Sequence, residues 1–491
     1  MERLTGLDSA FLALETSSAH MHVMATMVLD PSTAPDGFGV ETIKALVAER
    51  LPLLPPFRRR LVPVPFGLHN PLWVEDPNFD LDYHVRRAAL PRPGGPRELA
   101  AFTAEIAGRQ LDRSHPLWEM WVVEGLESGH VALVMKLHHA AIDGALGVEL
   151  MSHLFDLEPK PVARPDPTIV DRETIPSDLE MVLGAFTSFA RRPLLFARAA
   201  RNAVRSAVRV AQRLRNDPVE AGVPLTAPAT SLTGVITPHR RVAFASVALA
   251  DVKTVKETFG TTVNDVILAT TSGALRRYLD QRGELPSRPL VAAIPASVRT
   301  EDERGVMGNR VSTMFANLAV HVEDPVERLR RAHAVMSGAK AVHEDIGGQT
   351  LSQWAAVAAP ALFTRGMRIY ERLLQGRHPP IMNLVLSNVP GPTFPLYYAG
   401  ARLVSMFPMG PVMSGTGLNI TVISYLDTVE VGIMACREVV PDVWQIAEGF
   451  ADSLSELVKA AGRETQLEEE SASEPRPAAM FPGPLDVPRD E

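Results

Sequence analysis

The sequence predicts a protein of mixed α/β class with two domains, and three observations carry this prediction. The chain has 491 residues, more than one hydrophobic core usually supports. Short apolar segments typical of strands alternate with segments of helical periodicity in both halves, with Gly, Pro and Asp turn signals between them. A stretch rich in proline and charge, residues 158–177, separates the halves. We predict an N-terminal domain at 1–165, a linker and basic helical crossover at 166–237, and a C-terminal domain at 238–461.

The N-terminal domain contains a strand that is followed closely by a helix. Residues 130–137 form an almost continuous apolar run, which predicts a buried strand. Asp143 and Gly144 then open a helical pattern that continues through Leu154, with Asp143 as the candidate N-cap. Residues 138–144 are therefore expected at the junction of this strand and this helix.

Two helical stretches are predicted in the crossover, and the second, residues 191–215, contains eight arginines and no acidic residue. Such a face is either simply solvated or suited to docking on anionic lipid. Five of the arginines recur at helical spacing: Arg198, Arg201, Arg205, Arg209 and Arg213.

The C-terminal domain is predicted to contain strands with helices between several of them. Residues 462–491 are acidic and proline-rich with little apolar content, so we expect them to be disordered. The strand candidates are Leu290–Ile294, Val311–Val320, Met382–Ser387, Leu418–Tyr425 and Val429–Ala435.

Composition limits the partners and the compartment. The net charge of -8 gives no general attraction to nucleic acid, so no nucleic-acid partner is expected. Cys436 is the single cysteine, which excludes an internal disulfide and suggests a small buried hydrophobic residue. No secretory signal and no apolar run of membrane-spanning length is visible. We expect a cytoplasmic protein whose contact with an inner membrane face or a lipid inclusion is peripheral.

The adjacent residues His138 and His139 are the main candidates for chemistry. A neutral imidazole is a suitable general base near neutral pH. Adjacent residues on an extended strand point to opposite faces, so one ring should face a site and the other the core. This geometry argues against a metal pair, since zinc needs three or four convergent ligands. A pair of this kind is also compatible with a purely structural role.

The segment His-His-Ala-Ala-Ile-Asp-Gly at 138–144 and four further blocks resemble the bacterial wax ester synthase/diacylglycerol acyltransferase family. This family is one of the coenzyme A-dependent acyltransferases that share a His-His-x-x-x-Asp-Gly motif. The resemblance extends to about residue 461. One departure is His20, where the family pattern has proline before Met-His-Val; the resulting His-x-His suggests a strand-start turn rather than a metal site. The further blocks are Leu7 to Leu12, Pro116-Leu117-Trp118, Asn264-Asp265 and Ser387 to Pro392.

The resemblance implies two chloramphenicol-acetyltransferase-like domains, each a mixed sheet flanked by helices, with the active site in a tunnel at their interface. It implies an O-acyltransferase that moves a long-chain acyl group from acyl-CoA, its co-substrate, to diacylglycerol or to a long-chain alcohol. The second histidine, His139, is then the catalytic base, and Asp143 is chiefly structural. No bound cofactor and no metal are expected.

Several further residues have a candidate role in the site and a simpler structural alternative. A buried Asp143 needs a partner, and Arg299 is the candidate for a salt bridge. Asn264 is either an oxyanion donor or part of a helix-capping sequence. Gly144 is expected to be structural, and Glu15 either borders the pocket or is a solvated helix charge.

The remaining candidates are substrate-binding positions. Trp118, with Pro116 and Leu117, either lines an acyl channel or belongs to the core. Ser387 and Asn388 either bind substrate or start a turn stiffened by two prolines.

Two other functions are compatible with parts of the sequence: a catalytically inactive lipid-surface binding protein and a peptide condensation domain. The sequence lacks a Gly-x-Ser-x-Gly elbow, so an acyl-serine intermediate has no support and direct transfer is favoured.

Overall fold

Two six-stranded sheets and one small three-stranded sheet form the framework of the part of the chain that the computed structural model describes. The described residues are 2–35, 37–142, 150–160, 177–189, 201, 205, 222–297, 311–346 and 380–473. The strands are β1 Glu2–Arg3, β2 His22–Asp30, β3 Arg59–Val62, β4 Leu72–Glu75, β5 Val85–Ala89, β6 Trp118–Glu124, β7 Val131–His138, β8 Arg240–Ala248, β9 Leu290–Ser297, β10 Val311–Leu318, β11 Leu384–Val389, β12 Tyr397–Tyr398, β13 Ala401–Met409, β14 Leu418–Tyr425 and β15 Thr428–Cys436.

Helices connect and cover the sheets. The first helix begins after Thr5, whose hydroxyl accepts the N–H of Asp8 at 3.2 Å while the Asp8 carboxylate accepts the N–H of Thr5, so a capping box starts the helix. The helices are α1 Gly6–Leu14, α2 Val40–Arg50, α3 Pro55–Arg58, α4 Leu81–His84, α5 Pro96–Ala107, α6 Asp178–Phe189, α7 Leu249–Thr258, α8 Val263–Gln281, α9 Pro325–Ile346 and α10 Trp444–Ser473.

The predicted strands are present. The run at 130–137 forms β7, which lies inside its sheet and is buried along nearly its whole length, as an apolar run without alternation predicts. The strand predicted at Leu418–Tyr425 has these bounds in the structure. Residues 150–154 are helical, in agreement with the helix predicted after the histidines.

The first large sheet has the order β12-β13-β2-β7-β6-β5. β2 and β7 are antiparallel, and His22 lies opposite His138. On the other side of β2 lies β13, also antiparallel, so residues 397–409 of the second half of the chain complete the sheet of the first half. Two strands of the predicted C-terminal domain, residues 238–461, thus belong to the sheet of the N-terminal half. The sequence patterns did not indicate this pairing.

The second large sheet has the order β10-β9-β11-β14-β15-β8. β11 is parallel to both of its neighbours, β9 and β14. The carboxyl ends of these three strands therefore meet at one edge of the sheet, where loops can gather functional side chains.

The two halves pack closely where β13 crosses the second sheet. A Cβ atom at Gly432 of β15 would lie 2.0 Å from the carbonyl oxygen of Pro408 in β13. Glycine is required there because no side chain fits between the two backbones. α5 of the first half packs on β8 of the second, and one apolar cluster contains residues of both halves.

The C-terminal segment of the chain differs in part from its predicted structure, and the arginine-rich crossover is described only in part. α10 continues to Ser473, so residues 462–473 are helical and the predicted disorder is wrong for them; residues 474–491 lie outside the described residues. In the arginine-rich stretch only Arg201 and Arg205 are described, and both are helical and exposed. Cys436 is fully buried, as predicted. Among the described helices, none is long and apolar enough to cross a bilayer.

Candidate active site

The turn that follows β7 is held by backbone hydrogen bonds to the residues directly before both neighbouring strands. The N–H of His138 donates to the carbonyl of Leu117 at 3.0 Å, and the N–H of His139 donates to the carbonyl of Met21 at 2.7 Å. The N–H of Ala141 then donates back to the His138 carbonyl at 2.9 Å and closes the turn. The position of the two histidines is therefore fixed by Met21 and Leu117, the residues that directly precede β2 and β6.

The two histidine side chains have different surroundings, as the strand alternation predicted. His138 is fully buried, whereas His139 is partly exposed. The ring of His139 stacks on Phe11 of α1, with the ring centroids 4.1 Å apart and the planes inclined by 16°. His139 is thus the member of the pair that a substrate could reach.

Local contacts determine the tautomer of His138. Its Nδ1 accepts the N–H of Ala140 at 3.0 Å, so in a neutral ring the proton is on Nε2. This Nε2 lies 3.5 Å from Oε2 of Glu15. Burial lowers the pKa of His138, which keeps the ring neutral, with its one N–H directed at a carboxylate.

Glu15 is a buried residue of the site and not a solvated helix charge, so the simpler of its two predicted roles is wrong. Its side chain is only 3% exposed. The carboxylate accepts from Nε and Nη2 of Arg113 at 3.0 and 2.5 Å, and its Oε1 lies 3.5 Å from Nε2 of His22. Burial alone raises the pKa of Glu15, but the neighbouring His138 and His22 and the hydrogen-bonded Arg113 outweigh burial and hold this pKa well below its ordinary value.

The His-x-His at 20–22 belongs to the same buried region. The rings of His20 and His22 are 5.5 Å apart, and His20 contacts the carbonyl oxygens of Ser17 and Ala107 at 3.1 and 3.4 Å. Within the described residues, no group of three or more His, Cys, Asp or Glu side chains is placed to hold a metal ion.

Pro116 and Leu117 directly precede β6, which begins at Trp118, and all three residues are buried. The indole N–H of Trp118 donates to the carbonyl of Phe57 at 2.9 Å, and the ring of His84 stacks on the indole at 4.4 Å. Trp118 is 1% exposed, so of its two predicted roles the structure favours the core over an acyl channel. Of Pro116, Leu117 and Trp118, it is Leu117 that contacts the histidine turn, because its carbonyl accepts the N–H of His138.

A cavity lies beside the histidine turn, next to the small sheet β1-β4-β3. Ala140 and Ala141 form part of its wall, together with Arg3, Arg59 and Trp73. This cavity is small and partly open to solvent, and neither histidine lines it. The predicted tunnel between the halves stays a prediction.

The second half contributes Asn264 and Asn388, which the structure brings together. The Nδ2 of Asn388 donates to Oδ1 of Asn264 at 3.4 Å. The cap of α8 is formed by the neighbours of Asn264: Thr262 Oγ1 accepts the N–H of Asp265, and the Asp265 carboxylate accepts the N–H of Thr262. The segment therefore caps α8, as one of the two alternatives predicted, but the capping residue is Thr262 and not Asn264. The Asn264 side chain instead contacts Asn388 of β11.

The turn after β11 is pinned to β14. The N–H of Gly391 donates to the Ser424 hydroxyl at 3.2 Å, and a Cβ at Gly391 would lie 1.9 Å from the Ser424 carbonyl oxygen. Only glycine allows this approach. Ser387 and Asn388 therefore stand on a rigid segment at the carboxyl edge of the second sheet.

Three predicted residues cannot be placed. Asp143, Gly144 and Arg299 lie outside the described residues, and the Asp143–Arg299 ion pair stays a prediction.

Two buried histidines predict that the protein loses stability in acid. Burial lowers the pKa of His22 to about 3 and that of His84 to about 4. The unfolded chain takes up these protons below about pH 6.5, so stability is full above that pH and falls as the pH drops toward 4. Changing His84 to Phe should reduce the slope of unfolding free energy against pH by about 1.4 kcal/mol per unit between about pH 4.5 and 6. Urea unfolding at a series of pH values measures this slope, and an unchanged slope contradicts the prediction.

Comparison with solved structures defines the class first. The first condensation domain of the calcium-dependent antibiotic synthetase superposes with a TM-score of 0.56 at 19% identity, covering 93% of this chain and 95% of that domain. The wax ester synthase/diacylglycerol acyltransferase from Marinobacter aquaeolei VT8 gives 0.66 at 29% identity, covering 94% and 100%. The two sheet-rich halves thus have the chloramphenicol-acetyltransferase-like fold that these enzymes share, as predicted.

Sequence comparison then defines the family. Residues 4–267 match the wax ester synthase/diacylglycerol acyltransferase catalytic domain, and residues 307–458 match the C-terminal domain of the same family. A putative diacylglycerol O-acyltransferase of Mycobacterium tuberculosis strain CDC 1551 is 40% identical over 462 residues, 94% of this chain and 91% of the relative. A second protein of that name and strain is 38% identical over 469 residues. The chain belongs to the wax ester synthase/diacylglycerol acyltransferase family and is an acyltransferase.

Proposed function

We propose that this protein transfers a long-chain acyl group from acyl-CoA to the hydroxyl of diacylglycerol, of a long-chain alcohol, or of both. His139 removes the proton of the hydroxyl, and the oxygen attacks the thioester carbonyl. The carbon–sulfur bond then breaks, and the imidazolium returns the proton to the coenzyme A thiolate. No cofactor enters this scheme, and acyl-CoA is a co-substrate.

The observation that carries the proposal is the geometry of the histidine turn. A general base must be held in one orientation and must also be reached by the substrate. The His139 backbone is bound to Met21, directly before β2, its ring is supported by Phe11, and the residue is partly exposed. His138, although adjacent, is buried and directed at Glu15, so it does not qualify as the base.

Asn264 is proposed to stabilise the oxyanion that forms when the hydroxyl attacks. Because Asn388 donates to Oδ1 of Asn264, the amide N–H groups of Asn264 are directed away from Asn388. Changing Asn264 to Asp keeps the shape but removes these donors, and should lower kcat by about 10²–10³-fold, as loss of an oxyanion donor does elsewhere. The exposed Asn78, changed to Asp, is the control. Steady-state kinetics that show wild-type kcat for Asn264→Asp would remove Asn264 from the mechanism.

The acceptor is tested with purified protein and palmitoyl-CoA, offered diacylglycerol or hexadecanol in separate vesicle suspensions. Accumulation of triacylglycerol, wax ester or both identifies the acceptor and supports the proposal. Vesicle sedimentation in the same samples tests a peripheral contact with lipid surfaces. Binding to vesicles without formation of either ester would instead favour a lipid-surface protein without acyl-transfer activity.

A further inference from the structure

The C-terminal end of α1 and the residue that caps it contact both histidines of the active-site turn. Phe11 stacks on His139, and Glu15, four residues later, faces His138. Phe11 is in α1, whereas Glu15 is the C-cap residue, with an extended backbone and a side chain that is 3% exposed. The end of this helix therefore reaches two successive residues of the turn.

The end of this helix is itself fixed. Nη2 of Arg113 donates to the Leu12 carbonyl at 2.8 Å, and the same guanidinium binds the Glu15 carboxylate. Arg113 lies on the segment that leads into Pro116-Leu117-Trp118 and β6. Arg113 therefore connects the end of α1 to the segment whose Leu117 carbonyl accepts the N–H of His138.

Hydrogen-bonding capacity determines which side chain can occupy position 15. An ionised carboxylate accepts at both oxygens and donates nothing. His22 and His138 approach different oxygens, and Arg113 adds two further N–H groups. A glutamine has one acceptor oxygen and no charge, so it attracts the Arg113 guanidinium and the His138 N–H less strongly than a carboxylate does. An ionised carboxylate therefore presents an acceptor oxygen to both imidazoles, each at 3.5 Å, as well as to the hydrogen-bonded Arg113.

We propose that Glu15 is a positioning residue for acyl transfer. It holds the proton of His138 on Nε2, which leaves Nδ1 to accept the N–H of Ala140 and so fixes the turn that carries His139. Phe11 holds the His139 ring from the same helix. This inference rests on the proposed function, in which His139 is the general base.

The first test is the kinetics of Glu15→Gln with acyl-CoA and the acceptor identified above. We expect kcat to fall by about 10–100-fold, the loss typical when a group that orients a functional histidine is removed. The KM for both substrates should change by less than about 3-fold, because Glu15 does not contact substrate. The matched control is Glu430→Gln: Glu430 is also buried, but it binds the hydroxyls of Ser246 and Thr428, which an amide can also satisfy. The control should keep wild-type kcat, and wild-type kcat in Glu15→Gln overturns the inference.

A double-mutant cycle tests whether Glu15 acts through His138. If it does, Glu15→Gln combined with His138→Asn should have a kcat within about 2-fold of the less active single variant. A purely structural defect at Glu15 would add its loss to that of His138→Asn. Additive losses would overturn the inference.

A second variant covers the case in which Glu15→Gln does not fold. Arg113→Gln removes one anchor of the carboxylate at a side chain that is 46% exposed. Reduced kcat with unchanged KM supports the inference, and unchanged kcat overturns it. Different results would contradict the proposed function itself: absence of acyl transfer by the wild-type protein, or full activity of His139→Ala. Wild-type activity of Glu15→Gln beside an inactive His139→Ala removes only the role of Glu15.

Discussion

Replacing His139 with alanine is expected to lower kcat for acyl transfer by about 10²–10⁴-fold, the usual contribution of a general base. The substitution removes the imidazole that takes the hydroxyl proton, while the backbone bond from residue 139 to Met21 can still form. The KM for acyl-CoA should change little, because the base contributes to the transition state and not to binding of the thioester. Initial rates of ester formation at saturating substrate measure the effect.

The control for this prediction is His239→Ala. His239 is a half-exposed residue of the second half, paired with Glu438, and its loss should leave kcat unchanged. Thermal unfolding of both variants separates a catalytic loss from a folding defect. If folded His139→Ala retains wild-type kcat, another group is the base and the mechanism proposed above is wrong.

The largest expected effect on stability is at the buried ion pair between Arg50 and Asp156. Nη2 of Arg50 lies 2.5 Å from Oδ2 of Asp156, with side-chain exposures of 0% and 3%. The backbone of Asp156 pairs with Tyr397 of β12, so the ion pair joins α2 to the strand that crosses from the second half. Changing Arg50 to Met leaves a carboxylate buried without its partner and should lower the unfolding free energy by about 3–5 kcal/mol.

The double variant Arg50→Met/Asp156→Leu distinguishes the loss of the pair from the burial of one charge. Replacing both charged groups by apolar side chains of similar volume is often close to neutral, so the double variant should recover most of the lost stability. Urea unfolding of wild type, Arg50→Met and the double variant measures both values. A single variant as stable as wild type, or a double variant less stable than the single one, contradicts the prediction.

Several elements of the fold followed from local pattern. β7 is a near-continuous apolar run, which is the pattern of a strand buried on both faces, and β14 has the bounds that its apolar segment predicts. The different surroundings of His138 and His139 followed from the alternation of side chains along a strand. These predictions succeed because they depend only on residues within a few positions of each other.

Other features of the site depend on residues far apart in the chain. Position 15 carries a single acidic residue near the end of a helix, a pattern more often associated with solvent than with a buried site. It is buried because Arg113, His22 and His138 converge on it from three other segments. The one available signal was that Glu15 lies close to Phe11 and to the block Leu7 to Leu12 that resembles the family.

The sequence by itself determined the class of the protein, its two-part organisation, its family and the pair of histidines from which the base is drawn. The tertiary structure decided which histidine is buried and in which tautomer, that Trp118 packs in the core, that Asn264 meets Asn388, and that β13 completes the first sheet. The physical reason is that local periodicity and motif order depend only on the order of residues along the chain. Burial, hydrogen-bond partners and strand pairing arise only when distant segments are brought into contact.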